Sequence, residues 1–340
     1  MSDLEDDKTR RQRLALLRCP KCQSELSVQG SDALQCSQCA MRYPIVNGIP
    51  RMLTQEMRQA LTGSVNELEV DPRSVATAQS FGYEWTHFPQ MRAEWEQNFW
   101  GYFAPHTAAT FNSKRVLDAG CGTGRHTFYA AQFAQEVWSV DLGDAVEVAR
   151  RNNAAHPNVQ VVQADLYQLP FPAESFDFVY SIGVLHHLPD PEGAFRNLLR
   201  YLKKGGQAHI YLYWKPERQP IKRALLEFVT ALRQVTTRLP HRLIHGLAYP
   251  AAAAAFVGFV WPYQLLRAAG LNQIAERLPL KQYAQYPFSV CINDQFDRFS
   301  APIENRYTRA EVQGWLERAG LAEIVVRPNF GWCASGRKPL

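Results

Sequence analysis

The chain has 340 residues, long enough for one large domain plus a small one, or for two of medium size. Hydrophobic residues make up 46% and charged residues 20%, which excludes a chain that is disordered throughout. The net charge of +5 permits contact with phosphates or anionic lipid and requires neither. The acidic start, Met1-Ser-Asp-Leu-Glu-Asp-Asp, lacks an apolar signal segment, so a cytoplasmic protein is expected. In that reducing setting the seven cysteines are not expected to form a disulfide framework.

In chain order, residues 1–18 read as a polar lead-in. Residues 19–53 carry Cys19-Pro-Lys-Cys22 and Cys36-Ser-Gln-Cys39. Two C-x-x-C pairs at this separation make two facing knuckles, the tetrahedral sulfur set that Zn²⁺ favours. So short a span needs such a staple to hold a fold. A redox C-x-x-C would need a thioredoxin-like strand and helix, which the sequence does not supply. With the sequel Met41-Arg-Tyr-Pro-Ile-Val-Asn-Gly-Ile-Pro-Arg-Met-Leu53, this segment resembles the small zinc-ribbon activators of eukaryotic tRNA, rRNA and protein methyltransferases. The resemblance implies a structural Zn²⁺ on Cys19, Cys22, Cys36 and Cys39, and a stabilising or interface role in cis.

Residues 54–75, with Gly63, Ser64 and Asp71-Pro72, read as a linker with some helix. Residues 76–111 are rich in aromatics and predict helices over the mouth of the following domain, or plain core packing. Strand and helix then alternate: strands at 115–119, 137–141, 159–163, 175–181 and 206–214, helices at 124–134, 144–155 and 191–203. Lys203-Lys-Gly-Gly206 reads as a helix stop. Alternation of this kind predicts a parallel sheet covered by helices, with ligands at the carboxyl ends of its strands.

Those ends carry the chemistry. Val116-Leu-Asp-Ala-Gly-Cys-Gly-Thr-Gly124 is a strand, an acid and a glycine-rich turn that lets backbone approach a ligand closely. The second strand ends at Asp141, the third at Asp165, and the fourth runs through Ser181 into Leu185-His-His-Leu-Pro-Asp-Pro191. In order and spacing this series resembles the class I S-adenosylmethionine-dependent methyltransferases, closely over 80–214 and loosely over 300–337. The resemblance implies a seven-stranded, mostly parallel Rossmann-like α/β sheet with helices on both faces, closed by a helix from Thr308 and two strands near 322–327 and 331–335.

It also implies cofactor contacts from Asp118, Gly120, Cys121, Gly122, Gly124, Asp141, Leu142, Asp165, Leu166 and Ser181. Asp141 would accept the ribose hydroxyls, Asp165 the adenine amino group, and the Leu166 amide would reach a ring nitrogen. Asp118 would order the turn and pair with the ammonium, and the Ser181 carbonyl would meet it. Tyr83 and Trp85 are candidate lid contacts. His186 and His187, just past the fourth strand, are candidate general bases or loop-orienting residues. The glycine spacing differs from the dinucleotide-binding G-x-G-x-x-G, which disfavours a dehydrogenase. An Asn/Asp-Pro-Pro-Tyr/Phe motif for amino methylation and paired cysteines for cytosine C5 methylation are both missing.

Residues 215–300 are an insertion. Over 215–242 seven basic residues face two acidic ones, and from Leu243 to Leu266 there is no Asp, Glu, Lys or Arg. Such a run is long enough to span a bilayer. Its alanines, Pro250, Gly258, Pro262 and Gln264 make it only moderately apolar, so three readings stand: a buried substrate cap, an interfacial membrane element at the inner face of the membrane, or a dimer surface. Residues 301–340 complete the sheet. The expected function is methyl transfer to a small-molecule or lipid-linked acceptor. The rivals are an RNA or protein methyltransferase guided by the zinc module, and a non-catalytic scaffold that binds S-adenosylmethionine. A nucleic-acid partner is disfavoured, because no basic stripe with interleaved aromatics lies outside the insertion.

Overall fold

The computed structural model describes residues 13–63, 70–217 and 219–340. Most of the polar lead-in (1–12), the middle of the linker (64–69) and Arg218 of the basic segment lie outside the described residues. The chain divides into two compact units, one ending at Glu217 and resuming at Ile303, the other running to Pro302.

The first unit is built on one sheet of eleven strands. These are β1 (Leu26–Gln29), β2 (Ala33–Cys36), β3 (Arg42–Val46), β4 (Ile49–Met52), β5 (Arg115–Ala119), β6 (Glu136–Asp141), β7 (Val159–Ala164), β8 (Phe176–Ile182), β9 (Leu202–Tyr213), β10 (Ala322–Pro328) and β11 (Gly331–Arg337). Their order is β1-β2-β3-β4-β7-β6-β5-β8-β9-β11-β10. Strands β5 to β9 pair in parallel, and β11 and β10 close the edge antiparallel. These seven are the strands expected of the methyltransferase sheet. The order reverses beside β5, which places a ligand crevice at the carboxyl ends of β5 and its neighbours.

Parallel strands buried on both faces read as apolar runs, and alternate residues feed two cores. On one face Val116, Val137, Val161, Phe178 and Tyr180 pack with Phe99 and Phe103 of helix Glu94–Phe103. On the other, Leu117, Trp138, Val140 and Val162 pack with Phe195 of helix Pro191–Leu198 and Trp315 of helix Arg309–Arg318. The latter helix starts with the capping box expected of Thr308 and Glu311: the Glu311 amide donates to Thr308 Oγ1 (3.2 Å) and the Thr308 amide to Glu311 Oε2 (2.7 Å).

Two features depart from the sequence reading. First, the helix expected over 191–203 ends at Leu198, and Lys203-Lys-Gly-Gly206 lies inside β9. There the pairing jumps from Leu202↔Phe176 to Gln207↔Phe178, and Gly205 takes φ +73°. The glycines therefore form a bulge, not a helix stop. Second, the cysteine-rich segment is an integral part of the sheet. Its last strand, β4, pairs parallel with β7 through Arg51↔Gln163 and Met52↔Ala164. Leu17, Leu34, Tyr43 and Met52 join the same core as Leu117 and Trp138.

The second unit is helical: Pro220–Thr236, His241–Ala268 with a π turn over Phe256–Val260, Asn272–Ala275, and Phe288–Ser300. Helix 241–268 buries one stripe, Ile244, Ala248, Ala252, Ala255 and Val260, and its first half packs on helix 288–300.

Candidate active site

The glycine turn after β5 opens a cleft of about 920 Å³ empty volume at the carboxyl ends of the strands. Of the residues singled out from sequence, Trp85, Gly120, Cys121, Gly122, Asp141, Leu142, Asp165, Leu166 and His187 line it. Asp118, Gly124, Ser181, Tyr83 and His186 do not.

The turn is shaped by its glycines. Gly120 has φ +85°, and a Cβ there would sit 2.4 Å from Val184. Gly122 has φ +52°, and a Cβ would come 3.1 Å from the indole nitrogen of Trp85, so the lid ring lies directly over the turn. Gly124 serves another purpose. A Cβ there would meet Asn153 Nδ2 at 2.4 Å and Ala149 Cα at 3.0 Å, so it permits helix 125–131 to pack closely on helix 145–152 rather than touching the cleft.

Two acids face the cleft and are held by backbone amides. Asp141 Oδ2 accepts from the Gly122 amide (2.9 Å) and Oδ1 from the Gly143 amide (3.0 Å). Asp165 Oδ1 accepts from the Tyr167 amide (2.9 Å). Burial raises the pKa of both above the ordinary carboxylate value, and these amides pull the other way. A carboxylate in this position gains from a ligand that donates hydrogen bonds.

Asp118 lies one layer below. It is 1% exposed, and its Oδ2 accepts from the Thr127 hydroxyl at 2.6 Å, which in turn meets Ser139 Oγ at 2.8 Å. It thus ties β5 to helix 125–131 and β6. Burial pushes its carboxyl up to about 7. Ser181 donates to the Ala119 carbonyl (2.8 Å), locking β8 to β5 beneath the turn. Both residues shape the cleft from behind.

The lid comes from helix Pro72–His87, capped by Asp71. Ser74, Thr77, Ala78, Phe81 and Trp85 line the cleft, and their spacing is one helical stripe. Tyr83 is not part of that stripe; its ring stacks on His87 at 3.9 Å. The 3.6-residue period through Phe81 and Trp85 was the signal for the missed members of this face. Arg125 also lines the cleft, with its guanidinium 5.1 Å from the Trp95 ring and 5.9 Å from that of Trp85.

The two histidines divide. His187 lines the cleft; its Nδ1 donates to the Ile303 carbonyl at 2.6 Å, and its ring meets Phe81 edge-on at 4.8 Å. With the proton on Nδ1, the lone pair is on Nε2. His186 is fully buried against Tyr213 at 3.9 Å, and burial holds its pKa well below the ordinary value, so it stays neutral. Arg306 pairs with Glu304 (2.7 Å) and lies over the Tyr213 ring at 5.2 Å.

The four ribbon cysteines converge, with ligand atoms all within 4.8 Å of one another. Cys19 and Cys39 sulfurs are 3.6 Å apart, Cys22 and Cys36 3.4 Å, near the edge of about 3.8 Å expected for a tetrahedron with 2.3 Å Zn–S bonds. The amides of Gln38 and Cys39 point at Cys36 Sγ (3.4 Å each), and the Tyr43 hydroxyl at Cys19 Sγ (3.1 Å). These donors suit thiolates around one structural Zn²⁺.

Residues 117–210 match the model of a methyltransferase domain. The chain carries a methyltransferase domain. Residues 12–48 match the model of Trm112p-like proteins, so the methyltransferase domain follows a Trm112p-like zinc module in the same chain. Among curated proteins, an uncharacterized protein of Synechococcus sp. is 29% identical over 86% of this chain and 64% of its own length. The sterol 24-C-methyltransferase of Debaryomyces hansenii is 25% identical over 65% of this chain and 59% of its own. The chain therefore spans less than two thirds of either relative. Among solved structures, the YcgJ protein of Bacillus subtilis is 31% identical over 36% of this chain and 53% of its own, with a TM-score of 0.33.

Proposed function

We propose that this chain is an S-adenosylmethionine-dependent methyltransferase acting on a small-molecule or lipid-linked acceptor. The observation that carries the reading is the pairing of a glycine turn with two half-buried, amide-held acids at the ends of adjacent strands β6 and β7. Asp141 is assigned to the ribose hydroxyls and Asp165, with the Leu166 amide, to the adenine. Gly120 and Gly122 leave room for the remainder. The cofactor supplies an electrophilic methyl group. The protein's own part is to hold an acceptor in line with it and to exclude water, which is what a lid of Phe81 and Trp85 does. Where the acceptor atom carries a proton, His187 is assigned to remove it through Nε2.

The sterol 24-C-methyltransferase likeness supports an apolar acceptor, and the basic, apolar insertion supports peripheral membrane contact through 215–266. A nucleic-acid or protein acceptor selected by the zinc module is less well supported: the ribbon's fourth strand is spent on pairing with β7.

Calorimetry tests the site. Purified protein is expected to bind S-adenosylmethionine, and Asp141→Ala to weaken it by at least about tenfold, from the loss of charge-assisted hydrogen bonds on the order of 1.5–3 kcal/mol each. Unchanged affinity in a folded mutant removes Asp141 from the site.

A further inference from the structure

We propose that residues 219–302 form a monotopic membrane-docking module that lies in the headgroup layer of an anionic leaflet and does not cross it. This deepens the peripheral contact proposed above and does not depend on which acceptor is methylated.

Exposed apolar side chains concentrate here. Of the seventeen large hydrophobic residues exposed among the described residues, thirteen lie in this quarter of the chain. Two helices account for most of them. Helix 241–268 is free of Asp, Glu, Lys and Arg from Leu243 to Leu266, yet it buries only one stripe. Leu243 (49% exposed), Val257 (57%), Trp261 (54%) and Leu265 (70%) stand on its open faces. A helix apolar all round belongs inside a core or in lipid, and this one has no protein on most of its surface.

Helix 220–236 leaves a second apolar stripe uncovered. Phe228, Leu232 and Val235, spaced four and three residues apart on one face, point outward. The inward face mixes half-buried Leu226 and Val229 with polar groups: Arg233, 5% exposed, donates through Nε to the Arg298 carbonyl (3.0 Å), and the Thr236 hydroxyl donates to the Phe299 carbonyl (2.7 Å). Water as the only solvent would not favour exposing Phe228, Leu232 and Val235 while Arg233 is buried.

Charge selects the occupant. Residues 219–302 hold nine Lys and Arg against four Asp and Glu, and the rest of the chain balances at 28 of each. The whole net charge of +5 thus resides in the module. Arg238 and Arg242 stand at one end of the charge-free run, and Arg267 at the other, with Arg277 and Lys281 beyond it. An apolar face bordered by cations matches the acyl–headgroup boundary of an anionic membrane, where a dimer contact would have no need of the positive charge.

Connectivity excludes a single crossing. The run of 24 residues has about 36 Å of helix, enough for a hydrocarbon core of about 30 Å. But the chain leaves the sheet at the end of β9 and returns beside it: the Tyr307 amide donates to the Tyr213 carbonyl (2.9 Å), and the Lys215 amide to the Tyr307 carbonyl (2.9 Å). Among the described residues one helix has the length and composition to span, and one crossing would leave these hydrogen-bonded ends on opposite sides. The helix must lie along the surface.

The test uses the full zinc-loaded chain and vesicles of phosphatidylcholine with and without phosphatidylglycerol, read by co-sedimentation. Binding is expected only with the anionic lipid, weakening but persisting as salt rises. Arg238→Glu/Arg242→Glu should weaken it by about tenfold or more, and Trp261→Asp/Leu265→Asp by a similar factor that salt does not change. Each variant is checked for zinc content and circular dichroism. If the aspartate pair fails to fold, the arginine pair and a depth probe still decide. A fluorophore on Ala254→Cys should be quenched by lipids brominated about 5–10 Å below the headgroup boundary. Quenching at the bilayer centre overturns the monotopic arrangement. Folded protein that ignores anionic vesicles overturns the module, and so does a dimer that Trp261→Asp/Leu265→Asp dissociates while vesicle binding is unaffected.

Discussion

Asp118 is the residue whose environment most clearly sets a measurable property. Its carboxyl is desolvated beneath the glycine turn and accepts the Thr127 hydroxyl. Burial lifts its pKa to about 7, from an ordinary value near 3.9. Between those two values the folded state holds the proton and the unfolded chain has released it. Folding therefore takes up a proton in that window, and the group's contribution to stability falls as pH rises through it. Asn at this position can still accept from Thr127 and has no proton to lose. The difference in Tm between Asp118→Asn and the parent should grow in the mutant's favour from pH 5.5 to about 7.5, then level off. Melting curves without cofactor check this; parallel profiles would mean that Asp118 is ionised in the fold.

At the scale of elements, the ribbon and the methyltransferase sheet stabilise each other. β4 covers the edge of β7, Arg51 pairs with Glu147, and the Arg18 amide donates to the Pro170 carbonyl (2.9 Å). Zinc holds the loops that carry β1 to β4, so losing the metal should uncover β7 as well. In Cys36→Ser/Cys39→Ser, zinc analysis should show about one ion lost per chain. Hydrogen exchange should then quicken over residues 159–164 as well as 19–53. Quickening confined to the ribbon would show that the methyltransferase sheet holds its edge alone. The same elements show what sequence carries. The cysteine spacing, the glycine turn and the strand-end acids are local patterns, each readable within about twenty residues. The pairing of Arg51 with Gln163 is not, because nothing in either strand names a partner 112 positions away. Nor does an aromatic-rich helix declare which face turns inward until its caps fix its phase. That is why Tyr83 was expected at the cleft, where Phe81 and Ser74 line it. Lys203-Lys-Gly-Gly206 misled because glycine serves a bulge as readily as a helix end.

At the scale of the molecule, the insertion is separable by construction. Its two junctions are joined by backbone hydrogen bonds: Tyr307 donates to Tyr213 and accepts from Lys215, and Trp214 bridges Tyr307. A short linker closes that gap at little entropic cost, since loop closure depends only weakly on length. The returning segment must be kept, because the Ile303 carbonyl accepts from His187 and the Asn305 amide donates to the His186 carbonyl (2.9 Å). Replacing residues 218–302 with a few Gly and Ser should therefore leave a folded protein that retains its zinc and binds S-adenosylmethionine within about threefold of the parent, a change under 0.7 kcal/mol. Among the described residues, those lining the cleft lie at or before Leu188, outside the deletion. What should disappear is vesicle binding, together with methylation of an apolar acceptor. Calorimetry and co-sedimentation on the same preparation separate the two. A shortened chain that folds and holds zinc but loses the cofactor would show that the helical unit helps build the cleft. One that keeps vesicle binding would move the membrane contact to the methyltransferase unit.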